Sequence, residues 1–194
     1  MPYPNQPAKL VIASQNPGKI AELKTLLTPI GVTLKTAADY DLPDVVEDRD
    51  TFSGNAEKKA LAVMEATNLP ALADDSGLCV DYLEGGPGVY TARYGTYERL
   101  LREMKGVQEG DRGAYFVSVL ALAVPGEAVA FFEGRVDGKI ATSPQGEGGF
   151  GFDPVFIPEG HKITFAQMPA KQKNAISHRG QALAKFAGYL SERI

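Results

Sequence analysis

The sequence has one cysteine, no tryptophan and two histidines among its 194 residues. A single cysteine excludes an intramolecular disulfide, and the few Cys and His residues do not have the spacing of a zinc site. We therefore expect the protein to reside in a reducing compartment. Cys79, between Leu78 and Val80, is expected to be a small buried apolar residue rather than a nucleophile.

Long apolar runs and an excess of positive charge are also missing. The longest apolar-rich stretch, residues 117–124, is far too short for a membrane span, and residues 1–9 lack the apolar core of a signal peptide. The 20 Lys and Arg against 24 Asp and Glu give a net charge of −4, which disfavours nucleic acid as a partner. These absences predict a cytoplasmic protein without a membrane or nucleic-acid partner, and the length predicts a single domain, residues 1–194.

Short apolar strands alternate with amphipathic helices early in the chain, and an antiparallel hairpin follows later. Strands are predicted at 9–14, 32–36, 71–74, 78–80, 114–124, 128–136 and 155–157. Helices are predicted from Pro17, after a cap at Thr51 or Ser53, at 97–105 and at 177–193. These elements are separated by an acidic loop at 39–50, a turn at 75–77, a glycine-rich loop at 85–95 and a flexible loop at 146–151. The pattern predicts an α/β fold with a mixed sheet flanked by helices.

The junction between the first strand and the first helix is a candidate anion site. Its residues are Ser14, Gln15, Asn16, Pro17, Gly18 and Lys19. A helix N-terminus offers unpaired N–H groups and a partial positive charge, and the Lys19 ammonium adds a full one. The sequence is not a Walker A loop. An ordinary capped turn with a solvated lysine is the alternative interpretation.

Acidic residues in two segments form a candidate magnesium site. Glu47 lies in the acidic loop, and Asp74 and Asp75 come at the end of a predicted strand. Mg²⁺ commonly uses one or two protein carboxylates together with substrate phosphates. If the strand continues through both aspartates, their side chains point to opposite faces. Only one would then face a given cleft, and the other could hydrogen-bond the following turn. A solvated acidic surface is the alternative for most of residues 39–50.

Three further groups of residues could contact a nucleotide. Asn55 and Lys59 are four apart on one helix face, where either could meet a phosphate or simply flank the helix. Phe150 and Phe152 lie in a glycine-rich segment, where one ring could stack on a base, and we expect one to be a core anchor. The basic C-terminal segment contains Lys171, Lys173, His178 and Arg179.

Six segments, in this order, carry a family resemblance over nearly the whole chain. They are Ser14-x-Asn16-x-x-Lys19, Thr51-Phe52-x-x-Asn55-Ala56-x-x-Lys59-Ala60, residues 73–78 (Ala-Asp-Asp-Ser-Gly-Leu), residues 87–94 (Pro-Gly-Val-Tyr-Thr-Ala-Arg-Tyr), residues 148–154 (Gly-Gly-Phe-Gly-Phe-Asp-Pro) and residues 177–180 (Ser-His-Arg-Gly). Together they resemble the inosine triphosphate pyrophosphatase family, which removes non-canonical purine nucleotides from the nucleotide pool.

The resemblance implies a Mg²⁺-dependent hydrolase that converts ITP, dITP and XTP to the monophosphate and pyrophosphate. It implies a long mixed sheet, two lobes with a central cleft, and a homodimer. Matching positions imply that Glu47 and Asp75 bind the metal, and that Asp75 and Lys19 are catalytic in the attack of water on the α-phosphorus. The remaining positions imply substrate contacts by Ser14, Gln15, Asn16, Pro17, Gly18, Lys19, Asn55, Lys59, Ser76, Phe150, Gly151, Phe152, Asp153, Lys173, His178 and Arg179.

The sequence departs from the family pattern at three places. Gly54 replaces a common Glu, Phe152 stands where Tyr or Trp is usual, and the segment after Tyr94 is short. Two other functions remain open: a pyrophosphatase for pyrimidine or modified nucleotides, and a non-catalytic nucleotide-sensing module. Glu47 and Asp75 argue against the second.

Overall fold

A computed structural model of the chain describes residues 9–192, so most of the segment assessed for a signal peptide lies outside the described residues. The strands in this range are β1 (Lys9–Ile12), β2 (Thr33–Thr36), β3 (Ala71–Val80), β4 (Gly113–Ala123), β5 (Ala130–Ile140) and β6 (Phe156–Pro158). The α-helices are α1 (Pro17–Leu27), α2 (Phe52–Thr67), α3 (Thr91–Tyr94), α4 (Tyr97–Glu103), α5 (Ala170–Ile176) and α6 (His178–Ser191).

The six strands form one mixed sheet in the order β2-β1-β3-β4-β5-β6. Strand β1 is parallel to both β2 and β3, whereas β5 and β6 are antiparallel. The two parallel pairs belong to the alternating strand–helix part of the chain, where a helix returns the chain to the same end of the sheet. The predicted α/β class with a mixed sheet is confirmed.

The helices α1 and α2 begin where their capping residues predict. The Asn16 side chain accepts a hydrogen bond from the Lys19 N–H at 3.0 Å, and the Thr51 hydroxyl accepts one from the Gly54 N–H at 3.0 Å. Each cap satisfies an amide of the first turn that has no partner within the helix. None of the helices between residues 9 and 192 is long and apolar enough to cross a membrane.

Strand β3 is continuous, so the predicted interruption at 75–77 is wrong. All of its residues except Ser76 are buried. The strand lies between β1 and β4 in the sheet, and β1 pairs with its first residues, Ala71 and Leu72. This ladder overrides the local turn preference of the Asp75-Ser76-Gly77 sequence.

Several other sequence predictions need correction. The loop predicted at 85–95 contains a 3₁₀ helix (Gly88–Tyr90) and α3, and the acidic loop is preceded by a 3₁₀ helix (Ala37–Tyr40) that overlaps its first residues. Helix α5 is an element that the sequence did not predict. Strand β5 continues to Ile140, beyond its predicted end at residue 136, because its last three residues pair with β6. Strand β6 itself begins and ends one residue later than predicted.

The chain divides into two compact units, and each has its own core. Unit 1 runs to Asp75 and includes residues 119–133 and the chain from Ala182, and unit 2 comprises residues 76–118 and 134–181. The unit 1 core contains Ile12, Leu23, Leu72, Leu120 and Phe186, and the unit 2 core contains Leu78, Leu100, Phe116, Phe156 and Phe165. The single two-lobed domain with a central cleft stays a prediction.

Candidate active site

The segment between β1 and α1 is an exposed helix N-terminus in unit 1. The Ser14 hydroxyl accepts a hydrogen bond from the Asn16 N–H at 3.2 Å, and Pro17 occupies the first turn of α1. Gln15 donates to the carbonyl oxygen of Leu42 at 3.3 Å. These contacts hold the loop in the conformation that starts the helix, whose positive end favours an anion.

The Lys19 ammonium lies against β3. Its nitrogen is 2.9 Å from Oδ2 of Asp74, a carboxylate that is completely buried. Because β3 continues through residues 76 and 77, there is no turn there for an aspartate to hydrogen-bond. One aspartate of the pair therefore holds Lys19, a contact that the sequence did not predict.

Lys59 joins two carboxylates that are distant in sequence. From helix α2 its ammonium donates to the Glu47 carboxylate and, at 2.8 Å, to the carbonyl oxygen of Asp74. The same nitrogen is 3.7 Å from Oδ1 of Asp75. The structure thus brings Glu47, Lys59 and Asp75 together within unit 1, and with Lys19 and Asp74 they form what we call the carboxylate–lysine cluster.

One carboxylate oxygen of Asp75 makes no hydrogen bond within the described residues. The residue is 3% exposed, and its Oδ2 has no hydrogen-bond partner among residues 9–192. Burial raises the pKa of Asp75 to about 6, although the positive charges of Lys59 and Lys19 oppose that rise. A buried acceptor atom without a donor is costly unless something binds it. Asp75 is therefore suited to receive a proton or a cation.

The cluster fits a hard divalent cation such as Mg²⁺. Glu47 and Asp75 supply carboxylate oxygens, and the unpartnered Oδ2 of Asp75 is available to a cation. No group of three or more His, Cys, Asp and Glu residues with metal-binding geometry occurs within residues 9–192. Mg²⁺ commonly uses one or two protein carboxylates together with substrate phosphates.

A second group of predicted residues meets in unit 2, and we call it the aromatic–cation group (Phe150, Asp153, Lys173 and Arg179). The buried Asp153 carboxylate accepts hydrogen bonds from the Phe150 N–H at 2.9 Å and from the Lys173 ammonium at 2.6 Å. The Lys173 nitrogen is 5.2 Å from the centre of the Phe150 ring, and Cζ of Arg179 is 5.8 Å from it. Two cations and one aromatic ring therefore lie close together.

The first turn of α6 supplies Arg179 and His178. Arg179, which is almost completely buried, donates to the Ser76 hydroxyl at 3.0 Å. The His178 ring stacks on Phe116 with centres 4.7 Å apart. A Cβ atom at Gly180 would lie 1.8 Å from the carbonyl oxygen of Asn174, so only glycine allows α6 to start this close to α5.

Phe152 is the core anchor expected of one of the two phenylalanines. It is buried in the unit 2 core, and its ring centre is 6.2 Å from that of Tyr94. Gly151 beside it has a φ of 62°, a conformation that favours glycine. The predicted nucleoside contacts of Phe152 and Gly151 stay predictions.

Asn55 makes contacts that the sequence did not predict. Its side-chain oxygen accepts from the Arg49 N–H at 2.9 Å, and its side-chain nitrogen donates to the Arg49 carbonyl oxygen at 3.2 Å. The predicted substrate contact of Asn55 stays a prediction. The two partners are six positions apart in the chain, and an asparagine at the start of a helix does not indicate which loop backbone it will bind.

Comparisons with known proteins identify the family. The Ham1 family model matches residues 10–189. A dITP/XTP pyrophosphatase of Thermus thermophilus is 51% identical over 183 residues, 90% of this chain and 88% of the relative, and one of Gluconobacter oxydans is 46% identical over 187 residues, 92% and 89%. The solved structure of a HAM1 protein from Coxiella burnetii has a TM-score of 0.86 at 38% identity and covers 95% of this chain and 99% of that one. This chain therefore belongs to the Ham1 family.

Proposed function

We propose that this protein hydrolyses ITP, dITP and XTP to the nucleoside monophosphate and pyrophosphate. The observation that carries the proposal is the buried Asp75 carboxylate, with one oxygen near Lys59 and the other without a donor among residues 9–192. The substrate class is supported by relatives that are named dITP/XTP pyrophosphatases.

The carboxylate–lysine cluster of unit 1 would take the triphosphate end. Lys19 and Lys59 offset the negative charge of the phosphates, and the exposed start of α1, residues 14–18, adds helix N–H groups. Both lysines already contact β3, so their ammonium groups are positioned before the substrate arrives. Positioning in advance lowers the entropic cost of binding and of reaching the transition state.

Asp75 would act as the proton acceptor. Water attacks the α-phosphorus, its proton passes to an Asp75 carboxylate oxygen, and the bond from that phosphorus to the bridging oxygen breaks, so that pyrophosphate leaves with the electron pair. In the metal-free protein burial raises the pKa of Asp75 to about 6, and a base is most effective when its pKa lies near the working pH. Glu47 and Asp75 would hold Mg²⁺, which when bound stabilises the charge on the phosphate oxygens and the leaving pyrophosphate.

The aromatic–cation group of unit 2 would take the base. Lys173 and Arg179 are donors without acceptor atoms, so they can bind the 6-keto oxygen of hypoxanthine or xanthine but not the amino group of adenine. An adenine amino group facing these donors would be left unpaired, and such mismatches discriminate strongly. Guanine also has a 6-keto oxygen, so its exclusion must act on the 2-amino group.

A product assay across nucleotides tests this function. With Mg²⁺, we expect pyrophosphate from ITP, dITP and XTP. Turnover of ATP should be at least about tenfold slower in kcat/KM, as one lost hydrogen bond would give, and GTP should also be a poorer substrate because of its 2-amino group. Orthophosphate alone would indicate γ-cleavage and contradict the mechanism. A preference for pyrimidine nucleotides would favour the first alternative function, and absence of product would favour a nucleotide-sensing module.

The homodimer and the cytoplasmic location belong to the same proposal. They are supported by the family resemblance and by the single cysteine, which fits a reducing compartment. Light scattering on the purified protein tests the dimer, because it measures the molar mass. We expect twice the monomer mass of 20.8 kDa. A monomer at the concentrations used in the assay would contradict it.

A further inference from the structure

Asn55 holds the backbone of the acidic segment, residues 47–50, against the start of helix α2. Its side chain is 0% exposed, and it both accepts from the Arg49 N–H and donates to the Arg49 carbonyl oxygen. A primary amide matches a peptide group in this way because it carries a donor and an acceptor side by side. We propose that Asn55 is a positioning residue, which fixes this segment so that Glu47 reaches Lys59 and Asp75.

The acidic segment is an irregular and mostly exposed part of the chain. Residues 42–51 have no helix or strand, and Asp48, Arg49 and Asp50 are exposed. The ion pair of Asp48 with Lys58 is exposed as well, and such pairs contribute little to stability. The two hydrogen bonds with a fully buried amide restrain the backbone of this segment, beside the ion pair of Glu47 with Lys59, because buried hydrogen bonds are costly to break.

The packing of the segment against α2 supports the same role. A Cβ atom at Gly54 would lie 3.0 Å from Cβ of Arg49 and 2.9 Å from the Thr51 hydroxyl, so the segment runs close over the first turn. The glycine that departs from the family pattern at this position leaves room for that approach.

Asn55 and Lys59 act from one face of α2. They are four residues apart, so their side chains lie side by side, one binding the backbone at Arg49 and the other the carboxylate of Glu47. Glu47 and Arg49 are only two positions apart in the chain, so restraining the backbone at Arg49 limits where the Glu47 carboxylate can go. The amide itself is buried and uses both polar atoms on this backbone, which argues for positioning rather than phosphate binding.

The role toward Glu47 rests on the proposed function, since Glu47 matters there as a Mg²⁺ ligand. Removing a residue that orients a metal ligand typically weakens metal affinity or activity about 10- to 100-fold. Asn55→Ala should therefore raise the Mg²⁺ concentration for half-maximal pyrophosphate release by about 10- to 100-fold. Turnover at saturating Mg²⁺ should change much less, because Asp75, Lys19 and Lys59 remain.

The experiment measures this Mg²⁺ dependence together with hydrogen exchange of the Arg49 amide in metal-free protein. Asn68→Ala is the matched control, since Asn68 caps the opposite end of the same helix, thirteen positions along the chain from Asn55. We expect faster Arg49 exchange and the shifted Mg²⁺ dependence in Asn55→Ala only. Equal Arg49 exchange in both variants, or faster exchange with an unchanged Mg²⁺ dependence, would overturn the proposal.

A second pair of variants tests the positioning role of Asn55 if Asn55→Ala does not fold. Arg49→Pro removes the amide hydrogen that Asn55 accepts, at an exposed position, whereas Arg49→Ala keeps it. Arg49→Pro should shift the Mg²⁺ dependence, and Arg49→Ala should not. Equal Mg²⁺ dependence in the two would overturn the proposal. If the unmodified protein released no pyrophosphate, the proposed function would fail, and the Arg49 exchange rate would still decide whether Asn55 holds the segment.

Discussion

The Lys59 ammonium nitrogen lies 3.7 Å from Oδ1 of Asp75, while Oδ2 of the same carboxylate is buried without a hydrogen-bond partner in residues 9–192. One oxygen of the carboxylate is thus close to a cation, and the other is buried without a hydrogen bond in this part of the chain. Burial of such a group costs free energy that an ordinary core residue would not cost. Groups of this kind are retained where their chemistry is used.

Replacing Asp75 by Asn tests its role in the reaction. The amide keeps the size of the side chain but cannot accept the proton from water, so we expect kcat for ITP to fall about 10²- to 10⁴-fold. Binding of nucleotide, measured by calorimetry, should remain. Asp48→Asn is the control, because Asp48 is an exposed acid that pairs with Lys58. Near-normal turnover of Asp75→Asn would remove this residue from the mechanism.

The raised pKa of Asp75 predicts how stability changes with pH. The folded value of about 6 lies above the value of about 4 for an unfolded chain, so the folded state binds more protons between these two pH values. The charge on Asp75 therefore costs stability above pH 6, and that cost disappears as the pH falls towards 4. In metal-free protein, Asp75→Asn should be more stable than the unmodified chain at pH 7.5, by about 1–3 kcal/mol.

Denaturant unfolding of both proteins at pH 7.5 and pH 5 measures this difference. We expect the advantage of Asp75→Asn to shrink at the lower pH, where the unmodified carboxyl is protonated in the folded protein. A variant that is less stable than the unmodified chain at pH 7.5, with a difference independent of pH, would contradict the account.

Lys173→Met tests the base contact. The substitution removes a buried cation that pairs with Asp153, and we expect KM for ITP to rise at least about tenfold with a smaller change in kcat. The preference for ITP over ATP should fall as well. Lys171→Met, at an exposed position of the same helix, should leave both values unchanged. Selectivity that is equal in the two variants would exclude Lys173 from base recognition.

Arg112 is a buried cation that stabilises unit 2. It is 4% exposed and donates to the carbonyl oxygens of Ile140, Met104, Val107 and Ala141. Arg112→Met would leave these carbonyls without their donor, and we expect a loss of about 3 kcal/mol or more in unfolding free energy. Arg102→Met, at an exposed site on α4, should change stability by less than about 0.5 kcal/mol. Similar melting temperatures for the two variants would contradict this role.

Two glycines of helix α6 should respond in opposite directions to substitution by alanine. At Gly180 the added methyl group would collide with the Asn174 carbonyl oxygen, so α6 must shift and move Arg179 away from Ser76. We expect lower stability and a higher KM for ITP. At Gly188 nothing lies within 4 Å of the added atom, so Gly188→Ala should stabilise the protein by about 0.5–1 kcal/mol. Unaltered stability and KM in Gly180→Ala would show that the close approach is not required.

Local signals in the sequence were sufficient for some elements and not for others. The caps Asn16 and Thr51 were predictable, because a cap and the amide it binds are three residues apart. The continuity of β3 through Asp75-Ser76-Gly77 was not, because it depends on neighbouring strands that are distant in sequence. The contact of Asn55 with Arg49 and that of Lys173 with Asp153 depend in the same way on tertiary structure.

Hydrolysis in water enriched in ¹⁸O is the most direct test of the central claim, that water attacks the α-phosphorus. After a single turnover of ITP with Mg²⁺, mass spectrometry locates the label in the products. Attack at the α-phosphorus places ¹⁸O in the nucleoside monophosphate and none in pyrophosphate, which is the result we predict. Label in pyrophosphate or in orthophosphate would mean that water attacks another phosphorus, and it would contradict the account.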